Sequence, residues 1–374
     1  MKRVMSIIIT LVLVILLVET TAAAATTTQM KEFTFGLSLW ANDDPLSKNV
    51  IRMYEFAAKS LGSKVIAAAD GFEPGKQVAN VENFISMGVD SVAICPCTDA
   101  VIPKLVKICD DAKVPLTLVF RTINDPQIKD YVFSSKYFVG DCHEDELEVG
   151  YNLGKILADK GCKNVAIINY QHGDTTAENR YNGYIKAFNE FNVKVLAEQW
   201  EILTADKAAA ATESFIAAFP ELDGIAVVGG GGGPLEGTVT AIKNNNKLGK
   251  ILVTGCDFGP TLKDNLEKKE VSAMSGGHWV DPFYTFILAY NYVSGNSLSS
   301  KPEEIVMKPL FIASVEDSDN YAKWCQGDVL PYTEEEIKNM TKVFNSGMTI
   351  DKLKEIAWNY SLDDVMKRHE GLVK

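Results

Sequence analysis

Residues 87–121 read MGVDSVAICPCTDAVIPKLVKICDDAKVPLTLVFR, and they contain one complete strand–helix–strand unit. The apolar runs at 91–95 and 115–120 have the length of buried strands, and the stretch between them, 99–112, has apolar residues at helical spacing. Two strands joined by a helix in this way lie parallel in one sheet, with a right-handed crossover. The stretch therefore predicts a parallel sheet covered by helices.

The same alternation continues on both sides of this unit. Upstream, strands are predicted at 33–40 and 64–69, and each is followed by a helical stretch. After an extended stretch at 136–141 the alternation restarts, and it ends in a long apolar helix at 282–293. In the second series, strands are predicted at 164–169, 193–200, 224–228, 251–255 and 271–275. Two Rossmann-like parallel-sheet domains in tandem fit this repetition better than one very wide sheet.

Length and composition suit two globular domains. The chain has 374 residues, of which 47% are hydrophobic and 23% are charged, and a domain usually has about 100–200 residues. The formal net charge of -12 argues against nucleic acid or an anionic membrane as a partner. The odd number of cysteines leaves at least one thiol free, and we expect buried, small apolar side chains. The seven are Cys95, Cys97, Cys109, Cys142, Cys162, Cys256 and Cys325.

The amino terminus has the three parts of a secretory signal peptide. Lys2 and Arg3 are basic, residues 6–18 are almost wholly apolar, and small residues follow at 21–25. A membrane-spanning helix needs about 20 apolar residues, and Glu19 interrupts this run too early. We expect residues 1–25 to be cleaved, and the mature protein to be periplasmic or otherwise extracytoplasmic.

Several segments resemble, in order and spacing, those of the ribose- and galactose-type binding proteins of sugar ABC transporters. Besides residues 87–121, these segments are GLSLWANDDP at 36–45, AENRYNGYIKAF at 177–188 and ILVTGCDFGP at 251–260. The chain thus resembles a type I periplasmic binding protein from about residue 33 to about residue 315.

The resemblance implies an α/β fold of two Rossmann-like parallel-sheet domains joined by a three-crossover hinge. Periplasmic binding proteins are a standard example of hinge closure around a ligand. The crossovers are expected near 134–140, 276–278 and 306–309. The lobes are expected to comprise 30–138 plus 278–306, and 139–277 plus 307–374 with a C-terminal helical extension. The helical stretches at 334–344 and 350–365 are expected to pack across the hinge.

The resemblance also implies a receptor and not an enzyme. Such a protein captures a small polar ligand, here a monosaccharide, between its domains and delivers it to the membrane permease of an ABC transporter. We expect a monomer without cofactor, metal or nucleic acid. One alternative is a receptor for a sugar-like signalling ligand that docks on a sensor. Another is an enzyme with a nucleotide cofactor at the glycine run 229–233, although the Lys-Ser/Thr of a P-loop does not follow that run.

Ligand contacts carried over from the family fall at strand ends or helix starts. There, Arg and Asp side chains supply forked, charge-assisted hydrogen bonds to neighbouring hydroxyls, and flat rings cover the apolar face of a sugar. The family's contacts match Asp44, Arg121, Arg180 and Asp257, each of which could instead be a solvated or capping residue. The full set of candidate ligand-binding residues is Trp40, Asp44, Phe120, Arg121, Arg180, Asp257 and His278.

The chain departs from the family at three places. Phe120 stands where the family usually has an Asp before its Arg. The position of the family's usual Asn falls within the glycine run 229–233, and residues 276–278 stand where the family has a Gln. The replacement groups are expected among Asn42, His278, Trp279 and Asp281, and lower-ranked candidates are Asp70, Asp141, Trp200 and Thr204. The other histidines are His143, His172 and His369, and they show no metal-ligand spacing. Because of the three departures, the sequence does not decide whether the ligand is a pentose, a hexose, a polyol or a furanose-like molecule.

Overall fold

The first domain is built on a six-stranded sheet in which every strand pair is parallel. Its strands are β1 (Thr34–Leu39), β2 (Lys64–Ala69), β3 (Ser91–Ile94), β4 (Leu116–Val119), β5 (Phe138–Glu144) and, from later in the chain, β11 (Glu303–Met307). They lie in the order β11-β5-β4-β3-β1-β2. Strands β3 and β4 are buried along their whole length, as is usual where helices cover both faces. The unit predicted at 87–121 is confirmed.

The computed structural model describes residues 31–229, 232–259, 261–327 and 330–372. The residues from Glu32 onward form one unit, and the predicted signal peptide at 1–25 lies outside the described residues. Within the described ranges, no helix is both long enough and apolar enough to cross a bilayer.

Two of the five described helices of the first domain begin with an aspartate cap. The five helices are α1 (Pro45–Ser60), α2 (Pro74–Ser86), α3 (Ile102–Ala112), α4 (Pro126–Phe133) and α10 (Asp281–Val293), and the two with the cap are α1 and α4. The carboxylate of Asp44 accepts hydrogen bonds from the backbone N–H groups of Leu46 and Ser47, at 2.9 and 3.0 Å. The proline that follows Asp44 has a backbone angle suited to a first helical residue. This cap holds Asp44 at the end of β1.

The second domain has its own six-stranded sheet, in the order β12-β10-β9-β8-β6-β7. Its strands are β6 (Asn164–Ile168), β7 (Lys194–Gln199), β8 (Gly224–Val227), β9 (Leu252–Cys256), β10 (Ala273–Ser275) and β12 (Phe311–Ile312). Only the pair β10–β12 is antiparallel among these strands of the described chain. The described part of the chain thus contains two Rossmann-like α/β domains, as predicted.

Two glycines bring the first two helices of the second domain very close together. The helices are α5 (Glu146–Asp159), α6 (Thr175–Glu190), α7 (Ala205–Ala218), α8 (Gly233–Asn244) and α9 (Leu262–Glu267). A Cβ atom on Gly150 of α5 would lie 1.9 Å from the backbone oxygen of Arg180, and one on Gly183 of α6 would lie 2.2 Å from the backbone oxygen of Leu147. The absence of both Cβ atoms therefore sets the position of Arg180 against α5.

The first crossover between the domains is not where the sequence predicted it. Residues 134–140 were expected to cross, but β5 (Phe138–Glu144) is paired with β4 and β11 inside the first sheet. The chain leaves the first domain only at Asp145, so the predicted start of the second lobe at residue 139 is wrong. The second crossover links β10 to α10, and the third links β11 to β12.

The C-terminal helices contact both domains. These helices are α11 (Val315–Trp324), α12 (Glu334–Asn339), α13 (Ile350–Asn359) and α14 (Leu362–Arg368). Helix α11 packs against α9 of the second domain, whereas α12 packs against α1 and α13 against β11 of the first. An ion pair of 2.6 Å joins Lys354 of α13 to Glu303 of β11. The assignment of the whole of 307–374 to the second lobe is corrected accordingly.

Candidate functional site

A cavity of about 310 Å³ lies between the two domains, at the carboxyl ends of strands from both sheets. In parallel α/β sheets this is the edge where ligands bind. The wall contains all seven residues that the sequence analysis proposed as ligand contacts. The complete lining is Trp40, Ala41, Asp44, Leu46, Phe72, Phe120, Arg121, Glu146, Tyr170, Thr176, Arg180, Leu203, Asp257 and His278.

Arg121 connects the two domains across the floor of this cavity. It follows β4, and its Nε and Nη2 donate to Oδ2 of Asp174 at 3.1 and 2.8 Å. Asp174 caps α6, and its Oδ1 accepts a hydrogen bond from the hydroxyl of Tyr170 at 2.9 Å. Burial alone would lower the pKa of Arg121, but the neighbouring carboxylate of Asp174 raises it above the usual value. The guanidinium is therefore a fixed positive charge.

Arg180 forms a second buried ion pair, within the second domain. Its Nε and Nη2 donate to the two carboxylate oxygens of Glu146 at 2.5 and 3.1 Å, and its Nη1 donates to the backbone oxygen of Val228 at 3.3 Å. Only 4% of Arg180 and 7% of Glu146 are exposed. This two-point pair fixes the plane of the guanidinium, as forked Arg–carboxylate pairs do.

His278 lies between two carboxyl groups, one in the cavity wall and one at the end of β5. Nε2 of His278 lies 3.1 Å from Oδ1 of Asp257 in the cavity wall, and Nδ1 lies 3.8 Å from Oε2 of Glu144. Burial, together with the charge of Asp281, raises the pKa of Glu144 well above its usual value. The pKa of Asp281 is raised too, by burial and by Glu146. Both carboxyl groups therefore favour their protonated forms more than a carboxyl group in water does.

Aromatic rings form one side of the cavity. The indole of Trp40 stacks on Phe72 with ring centroids 5.6 Å apart and planes 10° apart, and it lies 5.8 Å from the ring of Phe120. The Nε1 of Trp40 donates to Oδ2 of Asp44 at 2.9 Å. The cavity wall thus has the apolar ring face of Trp40 next to the carboxylate of Asp44.

Two cavity residues have backbones in the left-handed region. Phe120 has φ of 64° and Asp257 has φ of 72°, and each directly follows a strand. Residues other than glycine adopt such angles at a cost, and these angles cluster at functional sites. The backbone therefore turns abruptly just where both side chains enter the cavity wall.

A family comparison identifies the architecture. The family described as "Periplasmic binding protein domain" matches residues 35–281. The chain belongs to this family.

Individual relatives of this periplasmic binding protein cover parts of the chain. The ABC transporter periplasmic-binding protein YphF of Escherichia coli is 28% identical over 208 residues, which are 52% of this chain and 59% of that protein. The ribose import binding protein RbsB of Bacillus subtilis is 25% identical over 246 residues, 65% of this chain and 75% of that one. Less than two thirds of YphF is thus spanned.

A solved structure has the same fold. It is the periplasmic solute binding protein of an ABC transporter from Actinobacillus succinogenes with bound D-allose. The TM-score is 0.69 at 22% identity, covering 78% of this chain and 100% of the other.

Three of the proposed replacement groups and all four lower-ranked candidates lie outside the cavity wall. Trp279 is buried and donates to the hydroxyl of Tyr321 at 2.6 Å, and Asp70 accepts from Ser38 at 2.8 Å inside the first domain. Trp200 stacks on His172 with centroids 4.0 Å apart. The described residues that line the cavity include none of these seven candidates, which are Asn42, Asp70, Asp141, Trp200, Thr204, Trp279 and Asp281.

Sequence reasoning missed the carboxylates that hold the two arginines. Glu146 is 34 residues from Arg180, and Asp174 is 53 residues from Arg121. Both stand at a helix start, where acidic residues are common for local reasons. The only available signal was the pair of glycines in α5 and α6, which indicates a close helix contact beside Arg180.

Proposed function

We propose that this protein is an extracytoplasmic receptor that captures a monosaccharide between its two domains and delivers it to the permease of an ABC transporter. The observation that carries the proposal is the interdomain cavity, in which two buried, pre-oriented guanidinium groups face an aromatic wall. A ligand that touches both walls stabilises the closed form, since a ligand shifts an equilibrium only by its differential affinity.

The two arginines keep donors available for hydroxyl groups. A guanidinium has five N–H donors. In Arg121, Nε and Nη2 donate to Asp174 and Nη1 donates to the backbone oxygen of Phe120. Arg180 likewise donates once from each nitrogen, to Glu146 and Val228. Five donors less three leaves two on each arginine for a polyhydroxylated ligand.

The charges of the cavity disfavour an anionic ligand. Each guanidinium is already paired with a buried carboxylate, so neither is an uncompensated cation that would draw an anion into the cavity. Two further carboxylates, Asp44 and Asp257, lie in the wall and would accept hydrogen bonds from sugar hydroxyls. The ring of Trp40 offers a flat apolar surface for the C–H face of a sugar.

The relatives support a sugar and an extracytoplasmic location. One relative is named for ribose import, and one solved structure holds D-allose. YphF and the protein in that structure are both named as periplasmic. The predicted signal peptide at 1–25 agrees with export. A solute-binding receptor of this kind acts as a monomer and carries out no chemical reaction.

The first test is ligand-linked thermal stabilisation of residues 26–374. The panel contains D-ribose, D-allose, D-galactose, L-arabinose, myo-inositol, ATP and NAD, and an excess of 100-fold over Kd adds about 2.7 kcal/mol to stability. We expect a shift with a sugar that Arg121→Ala and Arg180→Ala each abolish. The matched control is Arg52→Ala, because Arg52 lies on α1 and donates only to the backbone oxygens of Gln326 and Gly327 among its described partners.

Two results would contradict the proposal. A shift with the nucleotides alone would point to the glycine run at 229–233 and to a cofactor-binding protein. A sugar shift that survives both cavity substitutions would place the sugar elsewhere on the molecule.

A further inference from the structure

Three side chains with metal-binding atoms share one face of the first sheet, outside the ligand cavity. Strands β5 and β11 pair in parallel, with Glu304 opposite Asp141 and Val306 opposite His143. Because side chains alternate between the faces of a strand, Asp141 and His143 point to the same side, and Glu304 joins them there. Neither strand shows metal-ligand spacing in sequence, so only the strand register brings these groups together.

The three side chains are close together, and Asp141 and His143 are buried. Nδ1 of His143 lies 3.4 Å from Oδ1 of Asp141, and Nε2 lies 3.8 Å from Oε1 of Glu304. Asp141 is fully buried, and neither of its carboxylate oxygens has a hydrogen-bond partner among the described residues. Buried carboxylate oxygens are normally satisfied. The carboxylate of Asp141 therefore has acceptor positions that the described side chains do not fill.

The 3.4 Å separation between His143 and Asp141 suits two donors to one metal ion, whereas the 3.8 Å gap to Glu304 is measured from the other imidazole nitrogen and has to close on binding. A hydrogen bond places nitrogen and oxygen about 2.7–3.2 Å apart, and the gaps here are wider. Around a tetrahedral ion with bonds of about 2.0–2.2 Å, neighbouring ligand atoms lie about 3.3–3.6 Å apart. One ligand atom from each of Asp141, His143 and Glu304 lies within 4.8 Å of the other two.

We propose that Asp141, His143 and Glu304 bind a divalent transition-metal ion of the Zn²⁺ type. One imidazole nitrogen with two carboxylates is a donor set of Zn²⁺, whereas Ca²⁺ and Mg²⁺ prefer oxygen alone. The ion takes one nitrogen of His143 and one oxygen from each carboxylate, and water fills the fourth position. Binding joins β5 to β11, the two strands that lead into the first and third crossovers.

A proton is the competing occupant of this site. Lys129 of α4 pairs with Oε1 of Glu304 at 2.8 Å, and Thr122 donates to the same oxygen at 3.1 Å. The imidazole of His143 is then the group best placed to carry a compensating proton beside the buried carboxylate of Asp141. A protonated imidazole would neutralise Asp141 without any metal, so the experiment must separate a metal from a proton.

The site has an opening to solvent. The side chains of Glu304 and Lys129 are 31% and 34% exposed, while those of Asp141 and His143 are 0% and 8% exposed. An ion therefore has an entry path along Glu304, as a metal site requires. Movement of Lys129 away from Glu304 would clear that path.

Cobalt is the spectroscopic probe that tests the site. Mature protein is treated with a chelator, dialysed and titrated with Co²⁺, followed by displacement with Zn²⁺. We expect one Co²⁺ per chain with the visible absorption of a tetrahedral nitrogen–oxygen site, and His143→Gln should weaken binding at least tenfold. His172→Gln is the matched control, because His172 is an exposed histidine of the second domain.

A second variant keeps the test decisive if the buried substitutions do not fold. Lys129→Ala removes the competing cation from Glu304 and should tighten Co²⁺ binding several-fold. Protein that takes up no stoichiometric Co²⁺ holds a proton there, and the proposal is overturned. It is equally overturned if wild type, His143→Gln and Lys129→Ala bind Co²⁺ with equal affinity, since such binding is adventitious. Sugar binding is measured separately, and its presence or absence does not bear on this outcome.

Discussion

Arg121 of the first domain and Asp174 of the second are joined by a buried ion pair of 2.8 Å across the cavity floor. Neighbouring contacts follow the same path between the domains. The hydroxyl of Thr175 donates to the backbone oxygen of Thr122 at 3.2 Å, and that of Thr176 donates to the backbone oxygen of Phe120 at 3.3 Å. The start of α6 thus forms a latch on the turn after β4, and this latch joins the two domains beside the cavity.

Removing the latch carboxylate should open the empty protein. In Asp174→Ala, Arg121 loses its partner, and leaving one member of a buried pair alone costs up to roughly 3–5 kcal/mol. Opening the cleft hydrates the guanidinium and avoids much of that cost. We expect a larger radius of gyration by small-angle X-ray scattering for the empty variant, and weaker ligand affinity.

The control for this prediction is Asp111→Ala. Asp111 also forms an ion pair, with Lys107 on α3, but its side chain is 69% exposed, and such surface pairs contribute little. An Asp174→Ala variant with the scattering curve of wild type would show that the ion pair does not hold the domains closed.

The pair of Arg180 with Glu146 should show strong coupling. Each single substitution, Arg180→Met or Glu146→Leu, leaves a buried charge unpaired and should lower the free energy of unfolding by roughly 3–5 kcal/mol. The double variant removes both charges and should recover most of that loss. Urea unfolding of the four proteins gives the coupling free energy, and additive losses would contradict the two-point pair.

Strand positions were predictable and the first crossover was not. The unit at 87–121 is apolar in its strands, so its length and pattern identified β3, α3 and β4. Strand β5 instead contains Asp141, His143 and Glu144, and every residue of it is buried. A buried strand with charged residues has no hydrophobic signature. The sequence therefore favoured a linker where a central strand lies.

For each of the two buried ion pairs, the sequence predicted the arginine but not its carboxylate partner. Arg121 and Arg180 stood at recognisable positions, after a strand and near a helix start. Their partners could not be found from the sequence, because a pairing between Arg121 and Asp174 depends on how the two domains close. The pairing of Arg180 with Glu146 depends on the approach of α5 to α6, which the small residues Gly150 and Gly183 allow.

Asp281 should make the protein less stable as pH rises. Burial and the charge of Glu146 raise its pKa, so between the usual value of about 3.9 and the raised value the folded protein holds more protons than the unfolded chain. In that window the free energy of unfolding falls with rising pH, by at most about 1.4 kcal/mol per pH unit for one group.

Asp281→Asn should therefore flatten the pH dependence. Asn resembles the protonated acid, so the stability advantage of the variant over wild type should grow as the pH rises from 5 to 8. Urea unfolding at pH 5, 6, 7 and 8 measures this, with Asp43→Asn as the control because Asp43 is exposed. An unchanged slope in Asp281→Asn would mean that this carboxyl is ionised in the folded protein.

The first glycine of the run at 229–233 provides a last test, because it separates the receptor from the nucleotide-binding alternative. A Cβ atom on Gly229 would lie 3.0 Å from Nη1 of Arg180 and 3.1 Å from Cε1 of Tyr170. Both neighbours must then move by a few tenths of an ångström, which displaces a guanidinium that faces the cavity. For Gly229→Ala we expect sugar affinity to fall about tenfold, or about 1.4 kcal/mol. Isothermal titration with the sugar found in the panel measures this change.

Gly75→Ala is the matched control, because a Cβ atom at Gly75 on α2 meets nothing within 4 Å. It should bind sugar as wild type does. If the run instead held the phosphates of a cofactor, Gly229→Ala would abolish a nucleotide-dependent shift and leave sugar binding intact. If Gly229→Ala loses sugar affinity and Gly75→Ala does not, Gly229 is what allows Arg180 its position in the cavity wall. A Cβ atom at residue 229 would displace the guanidinium.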